Sequence, residues 1–150
     1  MTRVVVGVDG SRDAASALRR AVHEARLRGA DLDVVHVVAA PSVLADPVLF
    51  PPPSRQELHA RGLEVIDETL AGTDVGGLEI ERIAMIGHAA RVLCDVAKGA
   101  ELLVVGARGL GGFRGLLVGS VTHQVVAHAP CPVLVVVPEG RPVAQEPPLA

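Results

Sequence analysis

The chain has 150 residues, 49% hydrophobic and 21% charged, which suits one folded domain with a full core and excludes intrinsic disorder. A net charge of −3 offers no basic surface to nucleic acid or an anionic membrane, and no apolar run approaches the ~18 residues of a membrane-spanning helix. Phe50 and Phe113 are the only aromatic residues, which excludes a platform that stacks bases or a flavin.

Arg3 to Val8 is a Val-rich run ending at the turn Asp9-Gly10-Ser11, the pattern of a strand buried on both faces. Ala14, Ala17, Leu18, Ala21, Val22 and Ala25 then recur at helical spacing. Arg20, Glu24 and Arg28 form an outer i,i+4 series on that helix, and Gly29 ends it. A second strand spans Asp33 to Val38. Residues 39 to 53 hold five prolines and no periodicity, and read as a long loop. Ser54 to Glu57 supplies a capping box for a helix whose inner face is Leu58, Val65, Ile66 and Leu70. Gly72, Gly76 and Gly77 break it before a third strand, Leu78 to Ile86. A short helix follows, with Ala89, Leu93, Val96 and Ala97 inside and Arg91 paired with Asp95 outside. Glu101 to Gly106 is a fourth strand. A glycine-rich stretch then leads into a helix of about three turns through Ala127, ahead of a last strand, Pro132 to Val137. Residues 139–150 read as a disordered tail.

This β-α-β-α-β-α-β-α-β alternation predicts an α/β three-layer sandwich around a five-stranded parallel sheet. Ligands of such sheets bind beyond the carboxyl ends of the strands, where strand order reverses. Cys94 and Cys131 are too few for a disulfide framework and wrongly spaced for zinc, so they read as free thiols in a cytoplasmic protein. The opening MTRVVVGVDGS has too short an apolar run for a signal peptide.

Residues 106 to 122, GARGLGGFRGLLVGSVT, contain six glycines. Such density fits either a loosely held loop or a backbone that approaches phosphate oxygens and feeds a helix N-terminus. Gly119-Ser120 stands where that helix begins. Ser120 can cap it or contact a phosphate, and Val121 and Thr122 offer backbone donors. Lys98 is the only lysine, which excludes a P-loop, and no GxGxxG follows the first strand.

Gly106-x-x-Gly109, nine residues, then Gly119-Ser120 is the pattern of the ATP-binding branch of the universal stress protein family. The chain resembles that family along nearly its whole length, through VVVGVDGS, HVV, MIGHAA, LLVVGARG and GSVTHQVVAHAPCPVLVV. The resemblance implies a Rossmann-like fold of the adenine nucleotide alpha hydrolase-like kind over residues 1–138. It also implies a nucleotide-dependent stress-response module that binds ATP, with Mg²⁺ bridging the phosphates; the alternatives are a slow ATPase and a dimeric interaction protein without nucleotide turnover. The stretch 106–122 has no Asp, Glu, Gln or Lys to position water, which points to binding rather than to an enzyme. Gly7, Val8 and Asp9 match the nucleoside side, Val37 the residue whose backbone faces adenine, and Gly87 the adenosine side. Gly106, Gly109, Gly119 and Ser120 match the phosphate motif, continued by Val121 and Thr122. Asp9 is thereby expected at the opposite end of the ligand from the phosphates. Arg108 is either a phosphate partner or a solvated loop charge, and Arg114 is a weaker candidate. His36 reads as a hydrogen-bonded core residue, and His88 is the one histidine placed near the site. His123 and His128 do not share a helix face well enough to hold a metal. The resemblance further implies a homodimer through the last strand, Val133 to Val137, an apolar strand expected at a sheet edge.

Overall fold

In the computed structural model, residues 2–41, 46–109 and 118–138 are described. They form β1 (Arg3–Gly7), α1 (Arg12–Arg28), β2 (Asp31–Val38), α2 (Arg55–Ala71), β3 (Ile80–Ile86), α3 (Ala89–Val96), β4 (Leu102–Gly106), α4 (Ser120–His128) and β5 (Val133–Val136). The strands make one parallel sheet, as the alternation predicts, and their order in it is β3-β2-β1-β4-β5. The chain builds outward from β1 through β2 to β3, then returns to the other side of β1 for β4 and β5. Strand order therefore reverses between β1 and β4, where their carboxyl ends splay apart. The proposed tail, 139–150, lies outside the described residues, as do most of the glycine-rich stretch and Arg114.

Period-two geometry divides each apolar strand between two cores. Val4, Val6, Val34 and Val104 face α1 and α2, whereas Val5, Val35, Leu103 and Val105 face α3 and α4. The alanines predicted for the inner face of α1 are buried there, and their small side chains let the helix lie close to the sheet. Ser11 caps α1 by accepting the Ala14 N–H, and Gly29, at φ 60°, closes it by donating to Ala25 O and Arg26 O. The capping box at Ser54 and Glu57 forms as expected.

The departures from expectation are local. Pairing with β1 runs from Arg3 opposite Asp31, so β2 begins two residues before Asp33. Asp33 is buried against Arg3, whose guanidinium donates to Asp33 Oδ2 at 2.7 Å and to the Val96 and Lys98 carbonyls at 2.8 and 2.6 Å. Asp95 pairs with Lys98 at 3.1 Å rather than with Arg91, because the chain turns back beyond Val96.

Glu24 is also not on the solvent face. It is 7% exposed, held by Arg20 Nη2 at 3.0 Å from Oε1 and by an Arg28 hydrogen bond to Oε2. The Arg28 hydrogen bond, followed by the charges of both arginines, outweighs burial and holds its carboxyl below the usual carboxylate range. A depressed folded pKa stabilises the fold fully above the unfolded value of about 4.3, and that contribution fades as pH falls through the lowered one. Urea titrations should find Glu24→Gln less stable than wild type near neutral pH, with the gap narrowing below about pH 4. An equal gap in strong acid would contradict this account.

Candidate functional site

At the reversal point a cleft opens among the ends of β1, β2 and β4 and the first turns of three helices. From β1 come Gly7, Val8 and Asp9. Val8 is fixed to β2 through both its peptide groups: its N–H donates to Val35 O at 2.8 Å, and its carbonyl accepts the His36 Nδ1–H at 2.7 Å. That contact makes His36 the hydrogen-bonded residue expected, and it sits at the cleft wall. Asp9 Oδ1 accepts the Ser11 N–H at 3.0 Å, which turns the chain into α1 with Gly10 at φ 84°.

β2 contributes Val37 beside Val35, and α3 adds Ala89 and Leu93. With Val105 these give one wall of the cleft an apolar surface. Gly87 does not line the cleft. At φ 152°, with its N–H bonded to Val38 O at 3.0 Å, it turns the end of β3 into α3. The surface expected from it is supplied by Ala89 and Leu93, further along the chain. His88 is exposed, serves as the N-cap of α3 without a side-chain bond, and is not among the cleft residues.

The opposite wall is backbone. A Cβ on Gly106 would lie 2.8 Å from the main chain of Asp13, so the end of β4 and the start of α1 touch without an intervening side chain. A Cβ on Gly109 would overlap Asp9 Oδ2. Asp9 therefore faces the first arm of the glycine motif instead of standing apart from it. The sequence assigned these groups to opposite ends of a ligand because their contact spans a hundred residues of chain.

Gly119 caps α4 in an extended conformation, and its N–H donates to Ala107 O at 2.7 Å. Ser120 is thus the first helical residue and does not cap, which leaves its exposed hydroxyl beside the cleft. Among the described residues, the N–H groups of Ser120, Val121 and Thr122 have no backbone acceptor. These donors and the positive end of the helix favour an anion. Arg108, half-buried, lines the same wall, and its backbone N–H is bonded to Asp13 Oδ2 at 2.8 Å. Asp13 carries no sequence signal of this role, since it reads as an ordinary acid in a helix's first turn.

A second hollow, at the amino ends of the strands, is lined by Asp31, Asp33, Glu79 and Glu81 around Arg3. Its charge disfavours an anion, so the two ends of the sheet differ in kind. No group of three or more metal-binding side chains occurs among the described residues. The thiols of Cys94 and Cys131 are both pushed up, chiefly by burial, and both residues are half-buried against the core on the α3 and α4 side of the sheet.

The glycine contacts lead to a stability comparison. Gly106→Ala forces a methyl into the Asp13 backbone and should cost about 1–3 kcal/mol. Gly119→Ala meets nothing closer than 3.5 Å. It should lose no more than about 1 kcal/mol as a poorer cap. Urea denaturation of the two variants measures both, and wild-type stability in Gly106→Ala would refute the close approach.

The family model "Universal stress protein family" matches residues 1–137. Universal stress protein YxiE of Bacillus subtilis (strain 168) is 34% identical over 144 residues, covering 89% of this chain and 97% of the relative. A universal stress protein of Mycolicibacterium smegmatis is 37% identical over 139 residues; the match covers 90% of this chain but 45% of that longer relative. Two solved structures are also similar. One is a universal stress protein in complex with cAMP, with TM-score 0.65 and 28% identity, covering 90% of this chain and 96% of that one. The other is the universal stress protein from Archaeoglobus fulgidus in complex with dAMP, with TM-score 0.57 and 26% identity, covering 90% and 97%. On the family match along nearly its whole length, and on the parallel sheet already described, this chain belongs to the universal stress protein family.

Proposed function

We propose that the protein binds an adenine nucleotide, ATP foremost, and works as a nucleotide-dependent module of the stress response. The carrying observation is the open first turn of α4, whose N–H groups stand across from the Gly106–Gly109 arm. In this reading the phosphates lie along Gly106, Gly109, Gly119, Ser120, Val121 and Thr122, with Arg108 adding charge. The base rests on the apolar wall by Val37, with Gly7, Val8 and Asp9 along the nucleoside. Mg²⁺, where present, is held chiefly by the phosphates. The cAMP and dAMP complexes of similar proteins support an adenine ligand.

Isothermal titration of ATP into wild type and Gly119→Val tests the site. A branched side chain at Gly119 stands against the Arg108 and Gly109 backbone, where this reading puts phosphate, and a loss of affinity of at least about tenfold is expected. Equal affinities would refute the assignment. Mass spectrometry of copurified small molecules decides which adenine compound is resident.

Binding rather than turnover is favoured because residues 106–122 contain no Asp, Glu, Gln or Lys to orient water or polarise the γ-phosphoryl group. Turnover well below the ~1–100 s⁻¹ of kinases is expected in the same preparations.

We further propose a homodimer through β5. This strand occupies a sheet edge, its residues are only half-buried, and Val137, which follows it, is 55% exposed. Light scattering at micromolar protein should give twice the chain mass, and a monomer would refute it.

A further inference from the structure

Beyond the pairing of Ala107 N–H with Val136 O of β5, three hydrogen bonds tie the segment that ends β4 to the helices, and two of them use side chains from opposite layers of the sandwich. From α1, Asp13 Oδ2 accepts the Arg108 N–H at 2.8 Å. From α4, Thr122 Oγ1 donates to Gly106 O at 2.7 Å. Between them, Gly119 N–H donates to Ala107 O at 2.7 Å. Successive peptide groups of the arm are thus tied to both helices.

Both side-chain bonds leave their own helix and end on the backbone of the arm. Ser11 supplies the side-chain cap of α1, and Asp13 in the same first turn reaches across to the end of β4. The Thr122 hydroxyl is bonded to a strand carbonyl 16 residues away in sequence, and the residue is only 5% exposed. In a site of this kind, a displacement of about 1 Å at the binding groups is costly. Gly106 and Gly109 lack side chains that could lock the arm by packing, and the tethers supply that rigidity from outside.

We propose that Asp13 and Thr122 are positioning residues that clamp the Gly106–Gly109 arm from its two faces, setting affinity for the phosphate portion of the ligand but not for its nucleoside. The inference rests on the adenine-nucleotide reading above. It gives the Thr122 side chain a different role from that of its backbone N–H: the hydroxyl holds the arm, and the amide is left to the ligand.

The test compares ATP, AMP and adenosine by isothermal titration. The proteins are wild type, Thr122→Val, Thr122→Ser and Asp13→Ala, each shown by circular dichroism to be folded. Thr122→Val keeps the shape and removes the bond. It should weaken ATP and AMP about tenfold while adenosine stays within about twofold, and Thr122→Ser should restore wild-type values. Asp13→Ala should show the same split, and it carries the test if Thr122→Val fails to fold. Ligand-free hydrogen exchange at the Arg108 and Gly119 amides should quicken in Thr122→Val. Wild-type ATP affinity in Thr122→Val and Asp13→Ala overturns the clamp, as does equal weakening of ATP and adenosine. Failure of wild type to bind any of the three compounds instead overturns the nucleotide reading, while the exchange rates still report on the clamp.

Discussion

At Gly106 the backbone of β4 meets the backbone of α1, and the arrangement of the cleft depends on that contact. It requires two things at once. The helix must come close to the sheet, which the buried row Ala14, Ala17, Ala21 and Ala25 allows, and the strand must end in a residue without a side chain. With both met, the turn Asp9-Gly10-Ser11 and the start of the glycine arm become neighbours although they are far apart in sequence. A larger residue on either side would lift α1 away, separating Asp9 from Gly109 and Asp13 from Arg108.

Charge is sorted along the strand direction. Helices in a parallel α/β sheet run opposite to their strands, so their N-termini collect at the carboxyl ends of the strands. There the cleft offers helix N–H groups and glycine backbone. At the other end, Asp31, Asp33, Glu79 and Glu81 line a hollow with Arg3, which pairs with Asp33. An acidic protein can thus present an anion-binding surface without a basic face, because peptide dipoles supply the favourable field locally. Net charge governs solubility and long-range steering, whereas local donors govern the site.

The sheet was legible because each strand is a run of Val, Leu or Ile bounded by polar turns, and the helices carry clear alanine or leucine spacing with caps such as Ser54–Glu57. Ends that depend on pairing were less so: Asp31 reads as loop until it stands opposite Arg3. Glu24 shows the same limit, because helical spacing puts it with arginines but cannot show that they fold over it. Within the site, the glycine spacing picked out backbone positions that do converge on one cleft. Asp13, Ala14 and Leu93 were missed, since their part rests on contacts across the fold rather than on a local pattern. Gly87 was expected there, yet its positive φ serves the turn between β3 and α3.

Ala107 lies between the cleft and the sheet edge, and its peptide groups are used in both directions. Its carbonyl receives the Gly119 N–H of the α4 cap, while its own N–H donates to Val136 O of β5 at 3.0 Å. A single residue, Ala107, connects the edge strand to the Gly106–Gly109 arm. Sliding β5 along its axis would have to break the bond to Val136 or drag Ala107 and the base of α4 with it. Mechanically, the rim that faces solvent and the rim that faces the cleft are two ends of one short lever with Ala107 as its pivot.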